Sequence, residues 1–293
     1  MDVRRYRAEQ VTEACAKHGE GPVWHDGWPG LRWVDMLAGD VLTLLPDGTV
    51  RRTHVGSVAA ALRPRIGGGA VLAVERGFAL ADDDLTDVRP FGEQWADPGV
   101  RMNEGGCDPH GRFYCGSMAY AATPGAGALY RLDASGRAEV VLDGVTISNG
   151  LAWSPDGARA YYVDTPTQRV DVFTYRDGEL TDRRPLVRID PVVGAPDGLT
   201  VDAEGCVWVA LWGGAAVHRY APDGGLLAVV ALPVPRVTAC TFGGVDRTDL
   251  YITTSRQETD VRRHPEAGAL FVLRDAGRGL PVLPCAMSRP GTR

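Results

Sequence analysis

No apolar run in the 293 residues approaches the ~20 that a membrane-spanning helix needs. The most apolar stretch, Gly225 to Pro235, is short and ends in proline. The opening MDVRRYRAEQVTEA lacks an apolar core, so a secretory signal is not expected. There is no basic stripe: 31 Lys and Arg face 37 Asp and Glu, for a net charge of −6. Nucleic acid is therefore not the expected partner. Arg4, Arg5 and Arg7 read as a solvated N-terminal arm, within a first fifteen residues that are either an arm or a first strand. The six cysteines (15, 107, 115, 206, 240 and 285) are scattered without a C-x-x-C spacing, and read as buried free thiols in a reducing cytoplasm. Neither a G-x-S-x-G elbow nor an H-E-x-x-H motif is present. Gly67-Gly68-Gly69 is not followed by a helical pattern and is not a phosphate loop. No segment carries a 3.6-residue apolar period, so helices should be minor.

What the chain does have is a repeat. Asn103-Glu104-Gly105-Gly106-Cys107-Asp108-Pro109-His110-Gly111 returns as Asn149-Gly150-Leu151-Ala152-Trp153-Ser154-Pro155-Asp156-Gly157. It returns again as Asp197-Gly198-Leu199-Thr200-Val201-Asp202-Ala203-Glu204-Gly205. A copy shorter by one residue at the turn starts at Glu20, and a last unit starts near Thr238. Each copy opens on an oxygen-bearing side chain, runs a short strand, turns at a Gly and runs a second strand. The 37 Gly and 20 Pro sit at such turns, which suits many short strands. Six units of roughly 40–50 residues, one of them degenerate over about residues 50 to 90, give the period of a β-propeller blade. The expectation is an all-β, six-bladed propeller of four-stranded antiparallel blades, with residues 1–293 as one domain and the N-terminal strand pairing into the last blade. Trp24, Trp153 and Trp208 read as blade-core residues.

Equivalent positions of successive blades share one height around a propeller axis. Glu20, Asn103, Asn149 and Asp197 should therefore converge at one mouth of the channel. Two carboxylates and two amides meeting there unpaired would be costly. A divalent cation would relieve the repulsion. The all-oxygen set suits Ca²⁺, Mg²⁺ or Mn²⁺, with Zn²⁺ and Fe²⁺ also open. His18 and His25 flank Glu20 and read as loop or supporting residues, not as ligands.

The motifs Gly19-Glu20-Gly21-Pro22-Val23-Trp24, Arg101-Met102-Asn103-Glu104-Gly105 with Asp108-Pro109-His110-Gly111-Arg112 and Gly116-Ser117-Met118, Ser148-Asn149-Gly150-Leu151-Ala152-Trp153-Ser154, and Pro196-Asp197-Gly198-Leu199 together resemble the SMP-30/gluconolactonase/luciferin-regenerating-enzyme family over nearly the whole chain. The resemblance implies a six-bladed propeller with one divalent metal in the channel and, in most members, hydrolysis of sugar lactones. It implies Glu20, Asn149 and Asp197 as metal ligands, with Arg101 and Asn103 contacting substrate. Some members carry an acid about three residues after the Gly-Ser/Thr-Met motif. Here that neighbourhood is Ala119-Tyr120-Ala121, which makes Tyr120 the residue where substrate choice is expected.

The expected activity is metal-assisted opening of an aldonolactone such as gluconolactone or xylonolactone, with Asp197 as general base as well as ligand. The alternatives are hydrolysis of another lactone or ester, or a non-catalytic metal- or ligand-binding propeller. The expected partner is a small sugar lactone rather than a membrane or nucleic acid, and the expected state is a monomer or weak homodimer.

Overall fold

A computed structural model describes residues 2–134 and 136–287, and in it six sheets form a β-propeller. Blade 1 comprises Gly19–Val23, Arg32–Asp35, Asp40–Leu44 and Val50–His54. Blade 2 comprises Ala59–Pro64, Ala70–Val74, Gly77–Ala81 and Arg89–Glu93. Blade 3 comprises Val100–Cys107, Phe113–Ala119, Gly127–Leu132 and Ala138–Val145, and blade 4 Ser148–Trp153, Arg159–Asp164, Arg169–Arg176 and Glu179–Arg188. Blade 5 runs through Ala195–Val201, Val207–Trp212, Ala216–Tyr220 and Leu226–Ala231. Blade 6 contributes Val237–Gly243, Asp249–Thr254 and Phe271–Leu273. Among the described residues the helices are three single 3₁₀ turns, and none is long and apolar enough to cross a membrane.

The turns form for the reasons the repeat suggests. Gly111, Gly157 and Gly205 close them at φ of 78°, 69° and 79°, a region that side chains with a Cβ disfavour. In two of them an Asp pins the loop: Asp108 Oδ1 accepts from the backbone N–H of His110 and Arg112, and Asp202 Oδ1 from those of Glu204 and Cys206. Between blades the apolar faces interlock. Phe78 meets Phe113 edge-on, and Trp208 meets Phe242 in the same way. Trp153 and Trp208 are blade-core residues, whereas Trp24 is only half-buried and stacks on Tyr251.

Both ends of the described chain tie the ring together. Glu9–Gln10 supplies the outermost strand of the last blade, antiparallel to Phe271–Leu273, as the expected seal. The basic start is not a solvated arm: Arg4–Arg7 pairs in parallel with Leu226–Ala231 as a fifth strand of blade 5. Its four side chains are exposed while its backbone is paired, so composition alone could not separate strand from arm. At the other end, residues 276–287 cross the underside. Ala203 N–H donates to Arg278 O in blade 5, Ile66 N–H to Cys285 O in blade 2, and Ala286 N–H to Gly111 O in blade 3. This strap bridges opposite sides of the ring. The degenerate unit also resolves: Val50–His54 finishes blade 1, and Ala59–Pro64 opens blade 2.

Candidate functional site

The innermost strand of every blade slips register by one residue against its neighbour, and the slip falls on the repeat's opening position. It lies between Glu20 and Val23, Ala59 and Ala61, Met102 and Gly105, Ser148 and Leu151, Pro196 and Leu199, and Val237 and Ala239. A bulge of this kind bends the strand and re-aims the extra residue's side chain. The residues at the slips are Glu20, Ala60, Asn103, Asn149, Asp197 and Thr238. Ala60 has no polar group. Thr238 spends its hydroxyl on Gly19 O and on Thr253. The other four are buried polar side chains, and all four line one pocket of about 320 Å³.

The pocket floor is acidic. Glu20 and Asp197 are 3% and 5% exposed, and burial drives both carboxyls well above the usual range. After burial, Glu104 is the strongest further influence on Glu20, and Glu20 followed by Glu104 on Asp197. Among the described residues Glu20 Oε2 accepts only from the neighbouring Gly21 N–H, at 3.1 Å. Asn149 is oriented from both sides. Its Nδ2 donates to Thr165 Oγ1 at 2.8 Å, and Thr165 in turn donates to Pro196 O. This fixes the Asn149 Oδ1 on the opposite side of the amide, where Asn103 Nδ2 donates to it at 3.0 Å. Two desolvated, mutually repelling carboxylates and one pre-oriented amide oxygen fit a hard divalent cation. The same groups without a positive partner would be costly to keep ionised.

The walls carry the remaining predicted residues. Arg101 Nη1 donates to Asn103 Oδ1 at 2.7 Å, and its Nε is buried without a partner. Asn103 also donates to Ser148 O, so its amide links Arg101 to the strand bearing Asn149. Tyr120 stands at the rim beneath the Arg101 guanidinium, 5.6 Å from ring centre to Cζ. Its hydroxyl donates to Glu75 Oε1 at 2.7 Å, and Ser57 donates to the other Glu75 oxygen.

Of the two histidines flanking Glu20, the structure places His18 as a supporting residue of the pocket. His18 is buried with Nδ1 at 2.8 Å from Ser255 Oγ and Nε2 3.9 Å from Glu20 Oε1. Burial first, and Arg101 second, pull its pKa down to about 3, so the imidazole stays neutral. His25 packs on Trp28 and does not line the pocket. Trp212, covered on one face by the Arg236 guanidinium at 4.8 Å, forms the wall toward blade 6, and Gln257 and Glu258 edge the mouth. A second cluster, Asp202, Glu204 and Cys206, brings ligand-type atoms within 4.8 Å of one another. It is a braced turn: Asp202 already accepts from two backbone N–H groups, the Trp208 indole and Arg219.

Several known proteins are similar to this chain in both sequence and shape. Regucalcin of Sus scrofa is 35% identical over 294 residues, covering 96% of this sequence and 98% of that one. Regucalcin of Danio rerio is 36% identical, covering 94% and 97%. The crystal structure of a calcium-binding protein, regucalcin, from Agrobacterium tumefaciens superposes with a TM-score of 0.89 at 28% identity, over 97% of this chain and 99% of that one. Residues 18–256 match the SMP-30/Gluconolactonase/LRE-like region, a span that contains every bulge and every polar residue of the pocket floor, and the chain belongs to that family.

Proposed function

We propose that the pocket hydrolyses sugar lactones of the aldonolactone type, gluconolactone or xylonolactone among them, to the sugar acid, with one divalent cation held by Glu20, Asn149 and Asp197. The observation that carries this reading is the convergence of two buried carboxylates and an oriented amide oxygen on the floor of a pocket walled by Arg101 and Tyr120. The family's gluconolactonase members supply the reaction class.

When bound, the cation supplies Lewis-acid polarisation of the lactone carbonyl and charge for the developing oxyanion. The chain's own residues do the rest. Asp197 takes the proton of the attacking water and returns it to the leaving ring oxygen. Arg101, held by Asn103, supplies positive charge on the pocket wall beside substrate oxygens. Asn103 keeps Arg101 and Asn149 at a fixed spacing, which lowers the orientational cost of the reaction. Tyr120 offers a ring face and a hydroxyl at the rim, where the sugar's outer hydroxyls would lie. Lactones open slowly unaided, so an acceleration on the order of several kcal/mol suffices. The six free cysteines suit a reducing cytoplasm.

The test is acid release in a pH-stat over a panel of aldonolactones, before and after EDTA, with Mn²⁺, Ca²⁺, Zn²⁺, Mg²⁺ or Fe²⁺ restored. We expect chelator-sensitive turnover that Asp197→Ala abolishes while the circular dichroism spectrum is kept. Full activity in Asp197→Ala, or no acid release above background across the panel, overturns the reading.

A further inference from the structure

Apart from the pocket that Glu20 and Asp197 line, the inner strands enclose a second, smaller chamber of about 110 Å³. Leu280 to Leu283 of the strap also line it. Glu104 belongs to this chamber. It shares the blade 3 bulge with Asn103, but a strand sends successive side chains to opposite sides. Asn103 accordingly lines the larger pocket and Glu104 the smaller chamber.

Glu104 is 6% exposed, and its Oε2 accepts no hydrogen bond. An ionised carboxylate so placed is costly unless a positive charge faces it. Arg63, from the inner strand of blade 2, lines the same chamber and opposes the desolvation of Glu104. A Cβ on Gly106 would lie at ordinary contact distance, 3.6 Å, from Arg63 Nη2, which places the guanidinium against the strand that carries Glu104. Glu104 also acts on the larger pocket, since its charge is felt by both Glu20 and Asp197.

We propose that Glu104 is a third carboxylate of the cation site, an outer positioning residue that faces the ion from the chamber side with Arg63 as its counter-charge. The inference rests on the reading that Glu20, Asn149 and Asp197 hold a divalent cation. The charges then close. Two ligand carboxylates balance the ion, Arg63 balances Glu104, and Arg101 remains as the surplus positive charge on the wall where a product carboxylate would form.

The experiment is calorimetric titration of Mn²⁺ and Ca²⁺ into the chelator-treated full chain, with thermal melting in EDTA and in excess metal. Wild type, Glu104→Gln and Glu104→Asp are compared. Loss of an outer partner of a metal site costs about 10–100-fold in affinity, and we expect Glu104→Gln to fall in that range with partial recovery in Glu104→Asp. Glu104→Gln also strands the Arg63 guanidinium, so the criterion is the gain in melting point from EDTA to excess metal, which should shrink. A purely structural role leaves that gain unchanged. A cation affinity within about threefold of wild type, or an unchanged metal-induced gain, overturns the proposal. Wild-type protein that binds no cation sinks the site and this inference together. Wild-type protein that binds a cation but opens no lactone sinks only the proposed activity.

Discussion

Asn149 shows what turns a polar side chain into a directed oxygen. An amide can present either end, and the Thr165 hydroxyl decides which by accepting from Nδ2 and donating to Pro196 O. Thr165→Val keeps the shape and removes that choice. It should weaken Mn²⁺ binding by about tenfold, read by calorimetry, with little change in the unfolding midpoint of the chelated protein. Tyr120 and Glu75 form the other tunable pair. The Tyr120 and Ser57 hydroxyls hold the Glu75 carboxyl below its usual range, so the interaction persists until the pH falls through that depressed value. Tyr120→Phe removes a donor that favours the ionised form. The Glu75 carboxyl should therefore titrate higher, as followed by carbon NMR of the labelled carboxyl. If Tyr120 grips the sugar, KM for the preferred lactone should rise more than kcat falls.

At the level of elements, the bulge in each inner strand is what brings strand residues to the mouth of the channel. Its tolerance is small. A Cβ on Gly150 would sit 2.8 Å from Asp197 O and 2.6 Å from Leu199 Cγ, wedging blades 4 and 5 apart. Gly150→Ala should cost roughly 1–3 kcal/mol, seen as a lower urea midpoint with an unchanged slope, and should also weaken cation binding because it moves Asn149 away from Asp197. The four polar bulges were legible in the sequence because each sits in front of a turn with its own Asp and Gly chemistry. Blade 2 was not legible in that way: its bulge residue is Ala60, and nothing in its composition marks it. Thr165 stayed hidden, and His18 was read no further than a supporting neighbour of Glu20, for another reason. Their roles come from Ser255 and Pro196, partners brought close only by the closed ring. The strap was equally silent, since Leu280-Pro281-Val282-Leu283 has no period and its contacts are all long-range.

For the whole molecule, closure depends on the first strands. Without residues 2–10, blade 5 loses its parallel fifth strand and blade 6 its outer one, and both sheets gain open edges. The deletion should lower the melting midpoint, at roughly 2–4 °C for each kcal/mol lost in a chain of this order of size, and should increase aggregation measured by light scattering. Closure also imposes a schedule. Glu9 pairs with Val272, so a strand made before blade 1 has no partner until blade 6 exists. At about 5–20 residues per second the ribosome keeps it waiting for on the order of ten seconds or more. During that interval blades 1 to 4 can assemble from local hairpins while the two ends stay unsealed. The growing chain is then most exposed to protease and to mispairing at the waiting strand, and the ring is finished by a segment made before any of its blades.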